Sequence, residues 1–408
     1  MTPPPSLYFH IPFCTHRCAY CDFNTYAGQE ESIPAYVNAL CREVEFIGSK
    51  FPSPEGRVHT VFFGGGTPSL LSPKQFESIF QAIRKNFVLP DDVEITIEAN
   101  PGTVSHTDLV DLRSLGINRI SYGVQSSNPN ELRMLERVHD FFDVIDAVTY
   151  SRKAGFDNLN LDLIYGLPEQ TLASWQTTVQ RILDLHPEHI SAYALTLEHG
   201  TPFGSWASKG LLPLPDPDLA AEMYEWLSDI LEANGYVQYE ISNWARNIAP
   251  SGAERGRDTP EHPAFACRHN LQYWRSMPYL AFGAGAHGYA SGYRYSNVLR
   301  IKTYIDRLLN IDDSASRMEF PRSPATVNLH KQSRQDELSD YMINNLRLVQ
   351  AGVLDADFHS RFDHGLMDVY PTELRELVAV GLLEWHAGAI RLTRRGRLLG
   401  NQVFMRFV

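Results

Sequence analysis

In the first half of the chain, short runs dense in apolar and β-branched residues alternate with longer stretches whose apolar positions recur every three or four residues. The runs Leu7 to Ile11, His59 to Phe63, Val93 to Glu98, Arg119 to Val124, Asn158 to Ile164 and His189 to Leu195 predict buried strands. Between them, Ile33 to Ile47, Pro73 to Phe87, Thr107 to Leu115, Phe142 to Ala154 and Leu172 to Leu185 predict helices. Ser72 before Pro73 reads as an N-cap with proline at N1, and Gly116 and Gly155 read as helix stops. Such alternation implies an α/β fold with a parallel sheet. Six units fall short of the eight that close a barrel, so the expectation is a partial (β/α)6 TIM-like barrel.

The texture changes after Gly200. Gly204 to Pro217 is rich in Gly, Pro and Leu and reads as a linker, followed by a helix over Asp218 to Asn234, a strand over Tyr236 to Ile241 and a polar surface loop over Asn247 to Pro263. Further on, Leu338, Met342, Leu346 and Val349 share a helical face, Pro371 to Ala379 predicts a second helix, and Leu383 to Leu392 reads as a hairpin turning at Gly388. These elements predict a C-terminal α+β domain ending in a winged-helix-like module. The expected segments are 1–200, 201–325 and 326–408.

Composition narrows the function classes. The 408 residues carry a formal charge of -12, which disfavours nucleic acid as the main partner. The N-terminal residues lack the basic start and apolar run of a signal peptide, and no stretch is apolar enough to span a bilayer, so the expected compartment is the cytoplasm. Of the five cysteines, three fall together at Cys14, Cys18 and Cys21, while Cys41 and Cys267 stand alone. That distribution suits a metal site and not a disulfide framework.

Cys14-Thr-His-Arg-Cys18-Ala-Tyr-Cys21 directly follows the first strand. Three thiolates on one short loop can converge on iron, and a four-iron cluster held by three cysteines keeps one iron open to a further ligand. Buried cysteines, or a zinc site completed by His10 or His16, are the alternatives. Gly64-Gly65-Gly66-Thr67-Pro68 follows the second strand, where a backbone free of Cβ atoms can approach a ligand, and it lacks the lysine of a phosphate-binding loop. Polar residues stand at other strand ends: Glu98 and Asn100, Gln125, Asp162 within the fifth strand, and Arg137 beyond the fourth. Each needs a partner if buried, from the protein or from a ligand.

With these motifs the chain resembles the radical S-adenosylmethionine superfamily and, within it, the oxygen-independent coproporphyrinogen III oxidase-like family. The resemblance implies a [4Fe-4S] cluster on Cys14, Cys18 and Cys21, with S-adenosylmethionine chelating the open iron. It implies that Tyr8, Tyr20, Gly65, Gly66, Thr67, Glu98, Gln125, Arg137 and Asp162 surround that cofactor. The cofactor carries the radical chemistry and the protein orients it.

The family contains both an anaerobic porphyrinogen dehydrogenase and heme chaperones. The dehydrogenase has a fourth cysteine two residues after the third, where Phe23 stands here, and an N-terminal extension ahead of its cluster; both departures favour the chaperone branch. His269-Asn270-Leu271-Gln272-Tyr273-Trp274 matches that branch's heme-binding HNxxYW pattern, making His269 the candidate heme ligand. Read from its residues alone, the same stretch is a core corner, or a zinc site with His262 and Cys267. The expected partners are heme, an acceptor hemoprotein and an electron donor such as flavodoxin or ferredoxin, with peripheral contact to membrane-bound hemoproteins compatible with the reading. Two patterns are set aside. Gly283-Ala-Gly285-Ala-His287-Gly288 fits a dinucleotide fingerprint without its βαβ context and reads as a backbone-packing turn. Arg391, Arg394, Arg395 and Arg397 read as a solvated face or protein contact and not as a DNA surface.

Overall fold

The computed structural model describes residues 4–52, 56–247, 262–311 and 313–408. They form two compact units, Met1–Tyr224 with Pro278–Lys331, and Glu225–Met277 with Gln332–Val408. This division is discontinuous in sequence, unlike the consecutive segments 1–200, 201–325 and 326–408 expected above.

In the first unit six parallel strands lie side by side in chain order: β1 (Ser6–Ile11), β2 (Thr60–Gly65), β3 (Glu94–Ala99), β4 (Arg119–Gln125), β5 (Leu159–Tyr165) and β6 (His189–Ala194). Leu7, Phe9, Val61, Phe63, Ile120, Leu161 and Ile190 are fully buried, as expected for a parallel sheet covered on both faces. The crossovers run through α1 (Ile33–Gly48), α2 (Pro73–Asn86), α3 (His106–Ser114), α4 (Phe141–Lys153) and α5 (Leu172–Leu183). Capping boxes at Ser72 with Gln75, Ser105 with Asp108 and Asp140 with Asp143 fix the starts of three of them. The α/β partial barrel is therefore as expected.

The sheet extends beyond β1 on its other edge. β7 (Tyr279–Phe282) pairs parallel to β1, with Ser6 opposite Tyr279, and β8 (His287–Ala290), β9 (Tyr293–Asn297) and β10 (Thr326–Lys331) follow antiparallel. One buried carboxylate fixes this return segment. Glu43 on α1 accepts from Gly283 N (2.9 Å), Asn297 Nδ2 (2.8 Å), Tyr304 Oη (2.7 Å) and Ser323 Oγ (2.7 Å). The turn at Gly283 is a packing device: its φ is 106°, and a Cβ there would lie 2.4 Å from the His10 carbonyl oxygen.

Gly204 to Pro217 is not wholly a linker. Thr201 caps a helix over Pro202–Ser208, and its Phe203 is fully buried against Ala19, Leu135, Ile164 and Leu167. An apolar side chain at the second helical position, behind a threonine cap and a proline, drives this segment into the core.

The second unit contains an antiparallel pair, Tyr236–Glu240 with Asn243–Arg246, and a three-stranded sheet in the order Val353–Leu354, Ala389–Leu392, Leu383–His386. Ala387 and Gly388 both have positive φ (48° and 83°), the geometry that matches a two-residue turn to the twist of its strands. Leu338, Met342 and Leu346 pack with Phe358, Leu374 and Ile390 in its core. The basic residues beside the hairpin meet protein acceptors: Arg391 bonds Glu384, Arg394 bonds Asp229, Arg395 bonds the Val380 carbonyl and Arg397 bonds Gln238. Of the loop expected over Asn247 to Pro263, residues 248–261 lie outside the described residues. Among the described residues no helix is long and apolar enough to cross a membrane.

Candidate functional site

The cysteine loop begins where β1 ends. Phe13–Cys14 pairs in parallel with Tyr26–Ala27, which pins both ends of the loop, and Cys21 N donates to the Cys18 carbonyl at 3.1 Å inside it. All three thiols are free and half-buried. Burial pushes the Cys14 and Cys21 thiols up; the Thr67 hydroxyl counters this at Cys14, and the Phe23 amide counters it at Cys21. Cys18 and Cys21 both oppose ionisation of Cys14, and Cys18 opposes that of Cys21, so the three sit within electrostatic reach of one another. The buried Thr25 hydroxyl lies beside Cys14 and Cys21 and eases the ionisation of both thiols, a donor placed for a sulfur atom. Among the described residues no three His, Cys, Asp or Glu side chains converge as a single metal ion requires, at the cysteine loop or at His262, Cys267 and His269. A four-iron cluster places each thiolate on a different iron, so the spread donor set fits a cluster better than an ion.

The glycine run packs against this loop. Gly66 N donates to the Ile11 carbonyl and Thr67 N to the Phe13 carbonyl. A Cβ on Gly66 would lie 2.6 Å from the Phe13 oxygen and 3.0 Å from Cys14 Sγ, and one on Gly65, whose φ is 111°, would lie 2.5 Å from the His10 ring. The glycines thus admit the protein's own cysteine loop, a reason for them that the sequence does not display.

A chain of hydrogen bonds joins two of the cysteines. Thr67 Oγ1 donates to Cys14 Sγ (3.7 Å) and accepts from Asn100 Nδ2 (2.9 Å). Arg137 Nη2 donates to Asn100 Oδ1 (2.5 Å) and to the Gly123 carbonyl (2.7 Å), and its Nη1 donates to Cys18 Sγ (3.5 Å). Arg137 Nε is buried without a partner. Tyr20 packs on Phe203; burial holds its phenol above the ordinary value, and the nearby Arg137 guanidinium counters this. Gln125 stands at the end of β4 with φ of 68°, next to a register shift in the β4 and β5 pairing, and its Nε2 closes on the space beside Gly123.

Beneath the loop lie buried acids. Glu98 accepts from Gly65 N at 2.9 Å, and burial with the nearby Asp162 pushes its carboxyl up to about 7. Asp162 accepts from Ser121 Oγ (2.9 Å) and Asn160 Nδ2 (2.7 Å), yet burial still raises it. Tyr8 Oη bonds His10 Nδ1 (3.0 Å), and His10 Nε2 bonds the Asn24 carbonyl (3.0 Å). A carbonyl only accepts, so Nε2 carries the proton and Nδ1 accepts from Tyr8; burial lowers the imidazole and keeps it neutral. This tautomer ties Tyr8 to the cysteine loop, a link unmarked in the sequence. The structure therefore brings Cys14, Cys18, Cys21, Tyr8, Tyr20, Gly65, Gly66, Thr67, Glu98, Gln125, Arg137 and Asp162 to one end of the six strands, the end at which barrel sites assemble.

His269 belongs to the second unit. It lies on the helix Arg268–Trp274, is 1% exposed, and its Nε2 meets Tyr273 Oη at 2.9 Å with the rings edge-on. The four-residue spacing places both on one helical face. Imidazole suits heme iron, and in this arrangement its Nε2 is hydrogen-bonded to Tyr273.

The comparisons with known proteins bear on the fold and the family. Residues 8–182 match the Radical SAM superfamily model and residues 332–399 the HemN C-terminal domain model. The solved coproporphyrinogen III oxidase HemN of Escherichia coli, described as a radical SAM enzyme, superposes with a TM-score of 0.81 at 25% identity, covering 100% of this chain and 90% of that one. The fold is that of a radical S-adenosylmethionine protein. Heme chaperone HemW of Bacillus subtilis is 37% identical over 404 residues, 99% of either chain, and that of Escherichia coli is 34% identical over 410 residues, 100% of this chain and 98% of its own. The chain belongs to the heme chaperone HemW family.

Proposed function

We propose that this protein is a cytoplasmic heme chaperone built on a radical S-adenosylmethionine scaffold. Cys14, Cys18 and Cys21 hold a [4Fe-4S] cluster, and S-adenosylmethionine lies on its open iron among Tyr8, Tyr20, Gly65, Gly66, Thr67, Glu98, Gln125, Arg137 and Asp162. The observation that carries this part is the spread of three half-buried thiols with donors from Thr67, Arg137 and Phe23 directed at them. The bound cofactor supplies radical chemistry through one-electron cleavage of its sulfonium. The chain's own residues supply the pocket: buried Glu98 and Asp162 offer carboxylates to a cationic amine, the Arg137 Nε offers an unused donor, and Gly65 and Gly66 keep the loop close.

Heme and its delivery to an acceptor hemoprotein, including one at a membrane, enter from family membership and from the His269 and Tyr273 pair. In this reading His269 becomes available only when Tyr273 releases it. A flavodoxin- or ferredoxin-like protein is the expected electron donor.

The second reading, anaerobic oxidative decarboxylation of coproporphyrinogen III, is favoured by the match to the oxidase over the whole chain. The deciding experiment incubates anaerobically reconstituted protein with S-adenosylmethionine, a reductant and coproporphyrinogen III. Formation of protoporphyrinogen IX would overturn the chaperone reading. No conversion of the porphyrinogen, with hemin binding in a parallel titration, is the expected result.

A further inference from the structure

We propose that Asn100 is a positioning residue whose amide orientation aims two donors, the Thr67 hydroxyl and the Arg137 guanidinium, at the sulfur atoms of Cys14 and Cys18. The inference rests on the reading of those cysteines as cluster ligands.

The argument is one of donor and acceptor counting. Asn100 has one carbonyl oxygen and one amide nitrogen, and the structure uses them on opposite partners: Oδ1 accepts from Arg137 Nη2 at 2.5 Å, and Nδ2 donates to Thr67 Oγ1 at 2.9 Å. The reverse orientation would set an amide N–H against a guanidinium N–H, so Arg137 fixes which way the amide points. A hydroxyl has one proton. Because Thr67 Oγ1 receives the Asn100 N–H, its own proton is left for Cys14 Sγ, 3.7 Å away. On the other side, Asn100 Oδ1 and the Gly123 carbonyl together hold Nη2 and leave Nη1 directed at Cys18 Sγ, 3.5 Å away. Asn100 is itself held from behind: Thr103 N and Oγ1 both donate to its backbone carbonyl (3.1 and 2.7 Å), and Pro101 restricts its backbone. One amide at the end of β3 thus sets the hydrogen bonding of two ligand sulfurs, which is a lever on the reduction potential of an iron–sulfur cluster.

Asn100→Asp is the discriminating variant, because it is isosteric but offers only acceptors. It keeps the bond from Arg137 and turns the Thr67 proton away from Cys14. Thr67→Val deletes that proton directly, and the double variant separates the directional effect from the added charge. In cluster-free protein, the alkylation rate of each cysteine by iodoacetamide is followed by mass spectrometry; trypsin cleaves at Arg17 and so separates Cys14 from Cys18. Asn100→Asp is expected to slow Cys14 on the order of threefold more in the wild-type background than in Thr67→Val, since a thiol losing a donor ionises less readily. Thr67→Ser restores the larger effect. In reconstituted protein the cluster's midpoint potential falls in Asn100→Asp and in Thr67→Val, and the two falls do not add. Equal slowing in both backgrounds overturns the inference, as do additive shifts in potential. If wild-type protein takes up no iron, the cluster reading fails, and the alkylation cycle still decides the role of Asn100.

Discussion

The backbone amide of Gly65 donates to the carboxyl of Glu98 at 2.9 Å, so the glycine loop and a buried acid from the next strand are one unit. Burial, followed by repulsion from Asp162, moves the Glu98 pKa from 4.5 to about 7. Across that interval the folded protein retains a proton that the unfolded chain has released, so this group's contribution to stability declines as pH rises from 4.5 to 7. Glu98→Gln removes the decline. Urea midpoints at pH 5 and pH 8 in the cluster-free protein are expected to lie closer together in the variant, which gains on the order of 3 kcal/mol over wild type at pH 8, while Glu240, also raised to about 7, keeps its own share of the pH dependence in both proteins. Parallel pH profiles for the two proteins would show that Glu98 ionises normally.

Gly66→Ala sets a methyl group against backbone oxygens of Phe13 and Ile11, 2.6 and 2.9 Å away, that cannot move without displacing the cysteine loop. The expected cost is about 1–3 kcal/mol, with iron uptake on reconstitution well below wild type. Thermal unfolding and iron content measure the two effects. Wild-type values for both would mean the loop tolerates the shift.

Removing the Glu43 carboxylate takes away an acceptor shared by four buried donors, and Asn297 Nδ2 keeps only the Gly283 carbonyl. Glu43→Ala is expected to cost at least about 3 kcal/mol, beyond the range of an ordinary surface change. Chemical denaturation reports the loss, and hydrogen exchange should rise first at residues 283–298, where Gly283 and Asn297 are released. A loss below about 1 kcal/mol would show that other contacts hold this segment.

In the second unit, Tyr273→Phe removes the hydroxyl bonded to His269 Nε2 while keeping the ring. Hemin titration followed at the Soret band should then show tighter binding, and His269→Ala weaker binding. Identical curves for both variants and wild type would remove His269 as the ligand.

The six strands and their crossovers were legible because each strand is a continuous apolar run and the helices open on Ser or Asp caps such as Ser72 and Asp140. The cysteines were legible from spacing alone. The placement of Tyr279–Phe282 was not: four apolar residues mark a strand but not the edge it joins, and its partner β1 lies some 270 positions earlier. The helix at Phe203 hid inside a Gly- and Pro-bearing stretch whose composition outweighed one buried ring. Asn100 was visible as a polar strand-end residue, while its role depends on Thr67 and Arg137, which only the folded sheet sets on either side of it. The HNxxYW spacing reveals that His269 and Tyr273 share a face, but not that the tyrosine occupies the imidazole nitrogen.

The acceptor at Glu43 carries a consequence for how the chain is made. Its donors emerge from the ribosome some 240 to 280 residues after it does. Until Gly283, Asn297, Tyr304 and Ser323 arrive, the nascent barrel carries an unmatched charge next to an open β1 edge. The open edge of the strand that leads into the cysteine loop is therefore covered only once residues 279–323 have been made, long after the cysteines themselves.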